Sequence, residues 1–145
     1  MRIGLFAIGI TLLLIGCDRL NGVQSHSSMR GPVEISCVNA ALGSIPEAGH
    51  FVYQTDQHNS VEILPKQRKT RTITHVWTYG EARSYILQIN QTADGWDYTN
   101  TLSRIGEAIS QAEIDRFIPT MRKVNRAIQN KCGLQVADLQ AQPIS

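Results

Sequence analysis

Few side chains in this 145-residue chain are suited to chemistry, and they are scattered. The four histidines are His26, His50, His58 and His75. Asp56 and His58 are two residues apart, a spacing that suits an acid–base pair or two metal ligands if the fold brings His75 alongside. A small hydrolase or metal-binding enzyme would rest on those three residues. The plainer reading of Asp56-Gln57-His58-Asn59 is polar turn chemistry. The chain has no nucleophile elbow, no HExxH, no phosphate-binding glycine loop and no paired CxxC zinc pattern. The motifs therefore point away from an enzyme and imply neither cofactor nor metal.

The strongest local pattern is at the N-terminus. Arg2 precedes an apolar run over residues 3–15, too short for a comfortable permanent span and about right for the hydrophobic region of a secretory signal. It ends in Leu14-Ile15-Gly16-Cys17, which resembles the lipobox of bacterial lipoproteins. That resemblance implies a signal peptide over residues 1–16, cleaved after Gly16. It also implies a diacylglyceryl thioether on Cys17 and a fatty-acylated mature protein held on a membrane from the periplasmic side. Two or three acyl chains anchor firmly where one does not. Asp18 resembles the inner-membrane retention signal of enterobacterial lipoproteins and leans the expectation to the inner membrane, with the outer membrane still open.

With Cys17 acylated, Cys37 and Cys132 are the remaining pair, and an oxidising envelope compartment favours a disulfide between them. Neither has a CxxC partner or an adjacent histidine, which disfavours metal or redox chemistry.

Charge excludes one class of partner. Lys and Arg number 14 against 12 Asp and Glu, or 13 against 12 once Arg2 is removed, so the basic excess of a nucleic-acid binder is missing. Two local features suit binding. Lys66, Arg68, Lys69 and Arg71 form a basic run in an expected connection, either a solvated loop or a contact for anionic lipid or an acidic partner. Trp77, Tyr79, Tyr85, Trp96 and Tyr98 are aromatics on adjacent expected strands. Most should be core, but Trp77, Tyr79, Trp96 and Tyr98 also have the residue types enriched in binding hot spots.

The elements that must position these residues follow from periodicity. Residues 17–31 are polar and aperiodic and read as the lipidated cysteine and a flexible tether, about 20 Å long on average. Ile35, Val38 and Leu42 at helical spacing predict a helix over 32–42, opened by Pro32 and closed at Gly43. About five strands follow: 51–53, 61–64, 72–79, 84–92 and 96–102, with Asp56 to Asn59 as one turn and Asp94-Gly95 as a hairpin signal. A capping box at Ser110 and Glu113 opens a second helix that ends at Gly133, and Pro119 should kink it. Residues 134–145 form a tail that adds one short element or frays. The expectation is a single α+β domain over 32–133: helix, antiparallel meander, helix, with both helices on one face and the disulfide between them. Such a domain suits a non-catalytic, membrane-anchored binding protein of the periplasm or envelope. An immunity or inhibitor protein against a toxin or hydrolase fits best, and the alternative is an accessory subunit of an envelope or secretion complex.

Overall fold

The computed structural model describes residues 20–62, 68–80, 84–104 and 107–143. The elements run β1 (Leu20–Arg30), α1 (Ile35–Leu42), a 3₁₀ turn (Pro46–His50), β2 (Phe51–Glu62), β3 (Arg68–Tyr79), β4 (Tyr85–Gln91), β5 (Gly95–Ser103), α2 (Gln111–Cys132) and β6 (Gln140–Pro143). They build one six-stranded antiparallel sheet in the order β2-β3-β4-β5-β1-β6, so β2 to β5 form the expected meander.

Two strands lie outside that expectation. Residues 20–30 are not a tether: β1 pairs along β5 from Gly22↔Ser103 to Arg30↔Gly95. The tail returns as β6 on the other side of β1. β1 escapes a hydropathy reading because only Val23 and Met29 of its inward row are large and apolar, while Ser25 and Ser27 bond to the backbone of Ala137. Gly22 has a steric reason to be glycine, since a Cβ there would lie 2.0 Å from the Leu102 carbonyl oxygen. β2 is also one strand where two strands and a turn were expected, paired with β3 without interruption from Phe51↔Tyr79 to Glu62↔Arg68.

The sheet has a covered face and an open one. On the covered face Trp77, Leu87, Ile89, Trp96 and Tyr98 pack with Val38, Ala41 and Leu42 of α1 and with Val124 and Ile128 of α2. Val23, Tyr79, Tyr85 and Leu102 pack with Ile114, Phe117 and Met121 of α2. The open face is mostly polar, with Val52, Val76 and Ile86 among rows such as Val76, Gln88, Thr99 and His26 across neighbouring strands.

α1 begins at Ile35 behind Glu34, three residues after the Pro32 expected to open it, and closes at Gly43 as expected; the signals of α2 hold. Ser110 Oγ accepts from Glu113 N–H at 3.2 Å, and Gly133 closes α2 in the left-handed conformation at φ 66°. α2 continues as a single helix through Pro119, which is solvent-exposed, so water can take the carbonyl that the missing N–H leaves unbonded. The Asp94-Gly95 hairpin forms too, but the only positive-φ residues among those described are Gly31 and Gly133. Gly95 is needed for space instead, because a Cβ would lie 2.2 Å from Met29 O.

Cys37 and Cys132 are joined, with Cα atoms 5.8 Å apart across a sequence separation of 95 residues, and the bond ties α1 to the last turn of α2. On the chain-entropy model, closing so long a loop removes about 4–5 kcal/mol from the unfolded state. Cys37→Ser/Cys132→Ser should therefore lower the urea-unfolding free energy by about that amount, with native circular dichroism retained in the absence of denaturant.

Candidate protein-binding edge

β2 is one border of the sheet, and the other is the four-residue β6. A long border strand offers unpaired backbone groups to a partner unless proline, bulges or lysines blunt it. β2 has 12 residues and none of these devices. His50 O accepts from Gly80 N–H, which sets the alternation: even-numbered residues of β2 bond to β3, and odd-numbered ones turn outward. Phe51 N–H is taken by Ala48 O, and Gln57 N–H by the Asp56 carboxylate at 2.8 Å. Tyr53 and Thr55 therefore present backbone groups with no strand partner among the described residues, and Asn59 and Val61 turn outward in the same alternation. Among the described residues the exposed large hydrophobics, Val52 and Tyr53 at 56% and 41%, lie on this same strand.

Tyr53 is held in place by its neighbours. Its hydroxyl lies 2.8 Å from His75 Nδ1, its ring is 5.1 Å from that of Trp77, and Trp77 Nε1 donates to Asn39 Oδ1 at 2.9 Å. Burial lowers the pKa of His75 from its ordinary value, opposed by a bond to the Gln91 side chain.

β2 and β3 also outrun the sheet. β4 ends opposite Ile73 at Gln91, while the β2–β3 pairing continues through five more pairs, from His58↔Thr72 to Glu62↔Arg68. At ~3.4 Å per residue the hairpin projects about 17 Å beyond its neighbour. Arg68, Lys69 and Arg71 belong to this arm and not to a loop, and Arg71 Nη2 donates to Gln57 Oε1 at 2.7 Å. Lys66 lies outside the described residues, as does Cys17.

The aromatics proposed as a recognition surface are core. Trp77, Tyr79, Trp96 and Tyr98 are 2%, 6%, 3% and 0% exposed, under α1 and α2, and Tyr85 is buried with them. Burial pushes the hydroxyls of Tyr85 and Tyr98 to pKa values well above the ordinary one. Comparison of the chain with family models, with curated proteins and with solved structures found no match.

The suspected Asp56, His58 and His75 site does not assemble. Pairing puts Asp56 with Thr74 and His58 with Thr72, and their row alternates with the row containing Thr55 and His75, so His75 lies on the opposite face. A different trio, Ser28, His26 and Asp97, does meet on the open face. Asp97 accepts from the Ser28 hydroxyl, His26 Nε2 lies 3.4 Å from Ser28 Oγ, and His26 Nδ1 faces Thr99 Oγ1 at 3.3 Å. In a relay the carboxylate stands behind the imidazole; here a threonine stands there, and the carboxylate takes the hydroxyl directly. No group of three or more His, Cys, Asp or Glu suited to a metal occurs among the described residues.

The lowered pKa of His75 carries a stability consequence. The unfolded chain takes the proton first, so the contribution is complete above the ordinary histidine value of about 6.5 and is lost as the pH falls below it. The melting temperature should fall between pH 7.5 and 5.5, and His75→Phe should show a smaller fall; equal falls would exclude His75 as the source.

Proposed function

We propose that this chain is an envelope lipoprotein that acts by binding another protein through the β2–β3 arm and the open β2 edge, in the manner of an inhibitor or immunity protein. The observation that carries the reading is the arm itself: a two-stranded projection whose β2 side meets no further strand among the described residues. Main-chain bonds to such an edge supply affinity, and alternate side chains supply selectivity. The occupant is an extended, acidic segment of a partner protein. Residues 51–71 include Lys66, Arg68, Lys69 and Arg71 against Asp56 and Glu62, a net charge of two positive. A narrow arm is also the shape that enters a partner's cleft, which favours inhibition over an accessory role in a complex.

The lipobox reading adds an orientation. β1 begins three residues after Cys17, so a lipid on Cys17 holds the sheet within about 10 Å of the anchor. β1 starts at the end of the sheet shared by Phe51, Tyr79 and Ser103, and the arm leaves from the opposite end. The arm then leaves the sheet at the end opposite the anchor, which favours a protein partner over lipid headgroups. Among the described residues no helix is long and apolar enough to cross a membrane, so attachment in this reading rests on Cys17.

Two measurements test the proposal. Cys17→Ser should abolish fatty-acid labelling and move the protein from the membrane fraction to the soluble fraction. Thr55→Pro removes an outward N–H without touching the β2–β3 ladder. It should reduce capture of the envelope partner at least tenfold at an unchanged melting temperature, and undiminished capture would exclude the β2 edge.

A further inference from the structure

At the far side of the sheet from β2, α2 and residues 136–139 line an open cleft of about 400 Å³, within the range of small-ligand sites. Both walls are pinned. Ser25 Oγ donates to Ala137 O at 2.6 Å, Ser27 Oγ accepts from Ala137 N–H at 2.8 Å, and Gln129 Nε2 donates to Val136 O at 3.1 Å.

The cleft is lined with donors. Asn125 is 8% exposed and forms part of the lining. Its orientation is set by the core: Asn100 Nδ2 donates to Met121 O at 3.1 Å and to Asn125 Oδ1 at 2.8 Å, and the Tyr98 hydroxyl donates to the same Oδ1 at 2.6 Å. With its oxygen committed inward, Asn125 turns its amide N–H groups away from the core and toward the cleft. Arg122 and Arg126 stand on the same helix wall, one turn apart. Lys123 pairs with Glu47 at 2.7 Å and Lys131 reaches Ala40 O. Neither Arg122 nor Arg126 is paired with a carboxylate of a described residue. Asp138 is the single acidic residue in the lining, against two arginines.

We infer that this cleft binds the oxyanion of a small ligand, a carboxylate or a phosphate group, held by Arg122, Arg126 and the Asn125 amide. Guanidinium forks bond both anions in bidentate fashion, and a neutral amide donor between them adds a contact without repelling either charge. The site is separate from the β2 arm, at the other end of the strand order, so each can fail alone.

The test is a nuclear magnetic resonance titration of the full chain in detergent micelles with sodium phosphate, sodium acetate and, at matched ionic strength, sodium chloride. Saturable shifts confined to residues 122–129 and 136–139 with phosphate or acetate, absent with chloride, are expected. The anion that saturates at the lower concentration identifies the ligand's acidic group. Arg122→Gln/Arg126→Gln should weaken binding at least tenfold with the remaining spectrum unchanged. Asn125→Asp keeps an acceptor for Tyr98 and Asn100 but places a carboxylate at the cleft, and should abolish binding. Shifts that never saturate, that chloride reproduces, or that persist in the double arginine variant would overturn the assignment.

Discussion

The structure depends on covering one face of a six-stranded sheet with two helices of 22 and 8 residues. α2 supplies an apolar stripe from Ile114 to Ile128, but α1 buries only Val38, Ala41 and Leu42. A helix of eight residues is marginal in water by itself. The Cys37–Cys132 bond holds it against the end of α2, where it closes the cover over Trp77. Cover runs out at β2, where Tyr53 is half-exposed on the inner row while Trp77 beside it is buried. The open edge is thus the margin that the two helices leave uncovered.

Inside that cover the packing is not wholly apolar. Tyr98, Asn100 and Asn125 bond to one another between β5 and α2, and Asn100 adds a bond to the Met121 carbonyl. A buried amide that loses a partner costs about 1–3 kcal/mol, so the network admits one register of α2 over β5. The same bonds orient the Asn125 amide toward the cleft.

The parts of the fold visible in the sequence were those with two unlike faces. β3, β4 and β5 alternate because one row is core and the other meets solvent, and α2 carries its stripe for the same reason. β1 and the outer half of β2 have no such contrast. β1 packs inward partly through Ser25 and Ser27, which hydrogen-bond instead of burying carbon. Asp56-Gln57-His58-Asn59 straddles the point where β4 ends, with Asp56 and Gln57 opposite the last β3 residues that β4 pairs and His58 and Asn59 on the arm beyond, so turn-like residues sit in a border strand. The basic run was visible, but its place on a projecting arm depends on strand lengths that composition does not reveal. The aromatic cluster was visible too. Its burial followed from where α1 and α2 land, and the exposed ring proved to be Tyr53.

In the proposed function β2 is the working edge, and β6, at the other border, is a short closing strand. Photo-crosslinking residues placed at Gln57 and at Gln140 in living cells compare the two borders directly. A protein adduct from Gln57 with none from Gln140 is the predicted result. No adduct from Gln57, or adducts from Gln140 alone, would contradict it.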